Sequence, residues 1–214
     1  MAPRADLKQG EVKKHVARAL QSLRDGYVIV APLEHGYVYL ADAFSQYAVR
    51  AMHVLHGSED GVAAQVLVHS VTTVRGVTRD IPPAAETLMQ EFWPGLLSLT
   101  LKPNLGMNWD LGDDQSLDLV NVRAPKSRFV RALLKESGPL AAVSASPAGE
   151  NPLLKIDRAA VKLWDVGVIF DNGALKSGPR TTIVEQTDAG LSVFREGAIT
   201  VAQMTALAPG IFAE

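Results

Sequence analysis

The stretch Gly26–Ala43, GYVIVAPLEHGYVYLADA, carries two short apolar runs, Tyr27–Ala31 and Tyr37–Ala41, separated by Pro32-Leu33-Glu34-His35-Gly36. Val, Ile and Tyr dominate both runs and suit a pleated surface, so the two runs are predicted to be strands. Pro32 removes a backbone donor and Gly36 permits positive φ. The connector is therefore predicted to be a sharp loop that leaves Glu34 and His35 exposed at the strand ends. Ligands of α/β proteins are often held at such ends.

Upstream, residues 11–24 place Val12, Val16, Ala19, Leu20 and Leu23 on one face, with Lys13, Lys14, Arg18 and Arg24 elsewhere, the pattern of an amphipathic helix. Downstream, Phe44, Tyr47, Ala48, Met52 and Leu55 repeat with helical spacing as far as His56-Gly57, where the glycine suits a C-terminal cap. A strand is predicted at Val62–His69, a helix at Pro82–Phe92 and a strand at Leu96–Leu101 after Pro94-Gly95. Lys102–Ser116, rich in Asn, Gly and Asp, reads as a surface loop. Then follow a strand at Leu117–Arg123, a helix at Ser127–Glu136, a strand at Leu140–Val143, a helix at Ile156–Trp164, strands at Val166–Asp171, Thr181–Glu185 and Leu191–Arg195, and a closing helix near Val201–Leu207. The alternation predicts the α/β class with a mixed sheet.

Composition narrows the function classes. The 214 residues, 47% of them hydrophobic, can bury one sizeable core, and a single domain over 1–214 is the expectation. A formal charge of -2 argues against a protein held on nucleic acid by bulk electrostatics, although a local basic cleft stays open. With no cysteine, disulfides, thiolate metal sites and cysteine nucleophiles are excluded. No apolar run approaches a membrane span, and MAPRADLKQG lacks an apolar run behind it, so a soluble cytoplasmic protein is expected.

Several residues invite a chemical reading. Ser144 and Ser146 end a strand beside Pro147 and Gly149, where hydroxyls and amides can hold a phosphate or carboxylate, or where a polar turn satisfies its own backbone. A serine nucleophile is not supported, since neither Gly-x-Ser-x-Gly nor Ser-x-x-Lys is present. His53 and His56 lack the further spaced ligands of a zinc site, so no metal site is expected from protein ligands alone. Arg123, Lys126, Arg128, Arg131 and Lys135 form a basic cluster, in which Arg123 stands apart because it ends a strand before Pro125. Arg123 and Arg195 are the candidates for gripping a phosphate or carboxylate through bidentate hydrogen bonds. No Gly-x-Gly-x-x-Gly or Walker loop occurs.

Five spaced segments together resemble the YrdC/TsaC/YciO family, best known for threonylcarbamoyl-adenylate synthases that act in tRNA modification. They are Pro32-Leu33-Glu34-His35-Gly36-Tyr37-Val38, the intact Phe92-Trp93-Pro94-Gly95, Val122-Arg123-Ala124-Pro125, Thr181-Thr182-Ile183-Val184 and Arg195-Glu196-Gly197-Ala198. The resemblance implies a twisted mixed sheet flanked by helices around a central cleft. It also implies a nucleotidyl transfer that joins threonine, bicarbonate and ATP, with Mg²⁺, into threonylcarbamoyl adenylate and pyrophosphate, and tRNA or tRNA-modification proteins as partners. By resemblance, Glu34, His35, Tyr37, Arg123, Ser144, Ser146, Thr181, Thr182 and Arg195 bind nucleotide and substrate, and His56, Ser58, Ser144 and Ser146 occupy the catalytic positions.

At those positions this chain differs from the family pattern. His56-Gly57-Ser58 stands where the family has Lys-x-Arg, and Ser144-Ala145-Ser146 stands for Ser-x-Asn. Serine carries no charge, and histidine with its ordinary pKa near about 6.5 carries little at neutral pH. A missing cation in phosphoryl transfer costs on the order of a thousandfold in rate. The expectation is a divergent paralogue near the YciO branch with reduced or altered activity, the alternative being a silent nucleotide-, RNA- or protein-binding module.

Overall fold

The computed structural model describes residues 2–116, 118–158 and 165–212. Along it run β1 (Arg4–Asp6), α1 (Val12–Arg24), β2 (Val28–Pro32), β3 (Tyr37–Asp42), α2 (Gln46–His56), β4 (Gln65–Leu67), α3 (Val71–Val77), α4 (Pro83–Phe92) and β5 (Leu97–Leu101). β6 (Val120–Arg123), α5 (Arg128–Ser137), β7 (Leu140–Ser144), a 3₁₀ turn at Ile156–Arg158, β8 (Val166–Asp171), β9 (Thr182–Thr187), β10 (Gly190–Arg195) and α6 (Val201–Leu207) follow. The strands form one mixed sheet in the order β1-β8-β2-β3-β7-β4-β6-β5-β9-β10.

The stretch quoted first is an antiparallel hairpin at the middle of that sheet, with Pro32 opposite Tyr37. On its far side β3 pairs antiparallel with β7, placing Val38 beside Ser144. Paired residues share a face of the sheet, so the pairing tells which side each residue serves. One face is largely apolar: Val30, Tyr39, Val66, Ala141, Leu97, Leu99 and Val122 are buried there with Met52 of α2 and Leu88 of α4. The opposite face divides in two. Over β8, β2 and β3 it is covered by α1 and α5, which bury Val16, Leu23, Phe129 and Leu133 against Ile29, Leu40 and Phe170. Over β4, β6 and β5 the same face turns polar, because Gln65 lies opposite Ala142 on one strand and Asn121 lies opposite Thr100 on another. The Gln65 amide donates to Ser98 Oγ at 2.9 Å and to Asn121 Oδ1, and Asn121 donates to Thr100 Oγ1 at 3.0 Å. A half-face lined by hydrogen-bonded side chains makes a floor for a cleft where an apolar one would demand another helix.

Several predicted elements move or change. The strand expected at Val62–His69 contracts to Gln65–Leu67, which pairs with β7 along its length and with β6 at Val66 and Leu67. Two elements were not foreseen. β1 is three residues long at the sheet edge, and α3 is built from the β-branched VTTVRGV, a poor helix former whose Val74 and Val77 are held by the core. The helix expected at Ile156–Trp164 begins as a 3₁₀ turn over Ile156–Arg158, and residues 159–164 lie outside the described residues, as does Leu117 of the expected strand Leu117–Arg123.

Lys102–Ser116 is not all surface, since Trp109, Asp110, Leu111 and Asp113 are buried. The segment folds back on α2, where Gln46 donates to Asp110 Oδ2 at 2.7 Å and His53 Nε2 donates to the Leu111 carbonyl at 2.8 Å. The Gln46 hydrogen bond, helped by the Gly112 N–H and the Arg50 guanidinium, holds the Asp110 carboxyl below its ordinary pKa against the opposing effect of burial.

Candidate functional site

Beside the α1/α5 layer the polar half-face opens into a cleft of about 510 Å³. Its floor is Val38 of β3, Ala142 and Ser144 of β7, Gln65 of β4 and Arg123 at the end of β6. Three loops form its walls: the β2–β3 turn at Leu33–Gly36, the segment around Gly149–Pro152, and the approach to β9 at Gly178–Thr181, with Arg195 of β10 beside the last. The walls are tied together. Leu33 N–H donates to the Gly36 carbonyl at 2.9 Å, which closes the turn, and Tyr37 N–H donates to the Leu153 carbonyl at 2.9 Å. Gly36 lies so close to Pro152 that an added Cβ would sit 2.8 Å from the proline Cβ. His35 Nδ1 donates to the Lys176 carbonyl at 3.0 Å, which assigns the proton to that nitrogen when the ring is neutral, and the imidazole packs over Gly178.

The expected residues divide by what their polar atoms already do. Glu34, His35, Tyr37, Arg123, Ser144, Thr181 and Arg195 all line the cleft although they come from five separate segments of the chain. Arg123 is not a free cation. Its guanidinium is 6% exposed, donates from Nε to the Gly95 carbonyl at 2.8 Å and pairs through Nη2 with Glu34, whose other oxygen accepts the Lys126 N–H. Charge and fork are therefore taken by Glu34 and Gly95, and a bidentate grip on a ligand is not what Arg123 offers.

Tyr37 is likewise committed: its hydroxyl donates to the Gly173 carbonyl at 2.7 Å, lies 3.1 Å from Asp171 Oδ1 and accepts the Asn172 N–H at 2.9 Å. Burial pushes its pKa up to about 12 with help from Asp171, against the Asn172 N–H. The Tyr37→Phe variant leaves the Asn172 N–H and Gly173 carbonyl without their partner. It should lose about 1–3 kcal/mol of stability, read as a lowered urea midpoint at unchanged slope. An unaltered midpoint would show that the hydroxyl anchors nothing.

Ser144 Oγ lies 2.7 Å from Ser146 Oγ, with Ser144 on the cleft and Ser146 buried behind it. Thr182 does not face a ligand. It is fully buried, its hydroxyl donating to the Ile199 carbonyl at 2.6 Å and accepting the Gly197 and Ile199 N–H groups. Arg195 turns its Nε and Nη2 onto the Thr181 carbonyl at 3.1 and 3.0 Å, and Nη2 also reaches Thr181 Oγ1 at 2.8 Å, so this edge of its fork is used within the protein.

A residue absent from the sequence reading joins this group: Arg180, exposed on the cleft wall directly before Thr181. Burial, and then the charge of Arg180, lower the pKa of Arg195 from its ordinary value. Among the described residues neither arginine has a carboxylate within 4.0 Å, whereas Arg4, Arg50, Arg75, Arg79 and Arg123 each have one.

The profile of the Sua5/YciO/YrdC family, described as "Telomere recombination", matches residues 21–197. The chain belongs to that family. A Mycobacterium leprae protein provisionally named a threonylcarbamoyl-AMP synthase is 35% identical over 190 residues, which are 88% of this chain and 86% of the relative. Among solved structures, Escherichia coli YciO superposes with a TM-score of 0.80 at 21% identity, covering 95% of this chain and 98% of its own. Pyrococcus abyssi Sua5 complexed with L-threonine superposes with a TM-score of 0.84 at 23% identity, covering 98% of this chain, which spans 61% of that longer one. Both structures show the shared fold.

In this family member the two positions that depart from Lys-x-Arg lie outside the cleft lining. His56 Nδ1 donates to the Ser146 carbonyl at 2.7 Å, at the end of α2 where Gly57 adopts φ 72° as its cap. Ser58 Oγ is 2.7 Å from His53 Nδ1, and Ser58 lines a separate hollow with Arg50 and Glu59. Their side chains are used to pin α2 to its neighbours. Arg128, Arg131 and Lys135 of the basic cluster are exposed on α5 and do not line the cleft. Among the described residues no three His, Cys, Asp or Glu side chains gather to hold a metal ion, and no helix is long and apolar enough to cross a membrane.

Proposed function

We propose that this protein binds a nucleoside triphosphate and a small amino acid in the cleft and acts as a threonylcarbamoyl-AMP synthase of altered or reduced activity. The observation that carries the reading is the convergence of Ser144, Thr181, Arg180 and Arg195 on one cleft, where among the described residues neither guanidinium has a carboxylate within 4.0 Å. The names of the curated relative and of the threonine-complexed structure support the choice of substrates.

In the proposed reaction the threonine amine takes up carbon dioxide derived from bicarbonate and loses a proton. A carbamate oxygen then attacks the α-phosphorus of ATP, a new P–O bond forms, the α–β bridging bond breaks, and pyrophosphate leaves with the bond pair. The protein's part is to position the reactants and meet developing negative charge with fixed cations and N–H groups. Mg²⁺, when bound, would neutralise phosphate charge. Glu150, exposed on the cleft, is the carboxylate that would hold it, since Glu34 is paired with Arg123. A tRNA and the proteins that modify it would be the downstream partners.

Incubation with ATP, threonine and bicarbonate should release pyrophosphate and form the adenylate faster than a protein-free mixture, and equal rates would reject the reading. His56 and Ser58, spent on α2 contacts, favour one alternative, a binding module without turnover. It predicts heat on titration with ATP and no pyrophosphate.

A further inference from the structure

We propose that Arg180 and Arg195 together form a subsite for a polyphosphate group, the β- and γ-phosphates of a nucleoside triphosphate and the pyrophosphate released from it. The assignment rests on the nucleotide reading above and goes beyond it by placing one ligand group on one wall of the cleft, through an arginine outside the five family segments.

The wall fixes the backbone of Arg180 and the side chain of Arg195. Pro179 fixes the backbone immediately before Arg180. The Arg180 carbonyl accepts the Ala198 N–H at 2.8 Å, which pins this residue to the turn that follows Arg195. Arg195 is held in its turn by Thr181, through the carbonyl and the hydroxyl. The two guanidinium groups are thus carried by the approach to β9 and the end of β10, which are tied to each other, and the charge of one is felt by the other. Like charges brought onto one wall with no carboxylate at hydrogen-bond distance disfavour each other, and a bound polyanion relieves both at once.

The way the hydrogen bonds are used selects the anion. A carboxylate carries one charge and is best met by a single planar guanidinium fork. Arg195 has already turned its Nε/Nη2 edge to Thr181, and among the described residues only Nη1 is left without a protein partner. An end-on N–H group from Arg195 and an exposed guanidinium from Arg180 suit several separated oxygens that share two or more negative charges, the character of a diphosphate. The acids nearby do not compete equally. Glu34 is neutralised by Arg123, and Glu150, which also lines the cleft, has no ion-pair partner among the described residues and opposes anion binding from the wall around Gly149.

Calorimetry on the whole chain, with pyrophosphate, ATP, AMP and threonine as separate titrants at two ionic strengths, tests the assignment without requiring turnover. The wild type should bind pyrophosphate and ATP, more weakly at the higher salt. Arg180→Ala should weaken both by about tenfold or more, the scale of one charge-assisted hydrogen bond, while AMP and threonine affinities stay within about twofold and Arg180→Lys recovers part of the loss. Because Arg180 is exposed, the variant should unfold like the wild type, and an unfolding curve checks that it does. Equal pyrophosphate affinity in wild type and Arg180→Ala would overturn the proposal, as would absence of pyrophosphate binding or an equal loss for AMP and ATP. Pyrophosphate binding that depends on Arg180, alongside a failure to make the adenylate, would keep the subsite and reject the synthase reading.

Discussion

Replacing Glu34 with alanine is expected to lower the unfolding free energy by about 3 kcal/mol, the lower end of the range for breaking a buried ion pair by removing one partner. The loss comes mainly from what remains. Arg123 is 6% exposed, and without Glu34 its Nη2 faces the cleft floor with only the Gly95 carbonyl left on Nε, while the Lys126 N–H loses its acceptor. Glu34→Gln should fall in between, since it keeps an acceptor for one of these groups but not the charge. The paired variant Glu34→Leu with Arg123→Met should recover much of the stability, because an apolar replacement of both partners removes the stranded charge as well as the pair.

A second effect of opposite sign makes the test sharper. Removing the Glu34 carboxylate leaves Arg123 as an additional unneutralised cation in the cleft, so Glu34→Ala should bind pyrophosphate more tightly than the wild type even as it folds less stably. Guanidinium denaturation and calorimetry on the same preparation check both. A wild-type midpoint would mean that cleft water solvates Arg123 adequately, and unchanged anion affinity would mean that its charge does not reach the ligand.

These expectations rest on contacts that span 89 residues for Arg123 to Glu34 and 134 for Tyr37 to Asp171, and no local pattern announces such partners. What the sequence does announce is periodicity. The hairpin around Pro32–Gly36, the helices 12–24 and 128–137 and the strand 166–171 all follow from apolar spacing and from Gly or Pro at the turns. The polar half-face was also written there, in Leu97-Ser98-Leu99-Thr100-Leu101 and Val120-Asn121-Val122-Arg123, where strict alternation exposes one polar row. That row is informative only once strand order sets the two segments side by side.

Arg180 gave no signal of its own. It sits in Gly178-Pro179-Arg180, a turn-like run without period, and its importance depends on Arg195 lying beside it. Tyr37 and Thr182 show the converse: residue type and position suggested ligand contact, but the tertiary structure spends their hydroxyls on Gly173 and Ile199. Four of the five family segments located the cleft because each ends or begins a strand at its rim, while Phe92–Gly95 joins α4 to β5 and touches the site through the Gly95 carbonyl on Arg123. They could not tell which polar atoms were still unoccupied.

The turn after Arg195 supplies the last and most disruptive prediction. Gly197 does not adopt a left-handed backbone, so nothing about its φ requires glycine, and the constraint is steric. A Cβ placed there would meet the carbonyl oxygens of Arg180 and Thr181 and come 2.8 Å from the Thr181 carbonyl carbon, all of them main-chain atoms that cannot rotate aside. Gly197→Ala must therefore push the 195–199 turn away from the start of β9. That movement stretches the Ala198 N–H bond to Arg180 and the Gly197 and Ile199 N–H bonds to Thr182. Overpacking of this kind costs about 1–3 kcal/mol, and the buried Thr182 hydroxyl adds to it as its donors withdraw. Because Arg195 lies two residues before the glycine, the same shift separates its guanidinium from Thr181 and from Arg180. Pyrophosphate affinity should consequently fall by at least about as much as in Arg180→Ala, on the order of tenfold. A variant that loses stability yet binds pyrophosphate as well as the wild type would show that the arginines keep their places independently of this turn, and that the close approach at Gly197 serves folding alone.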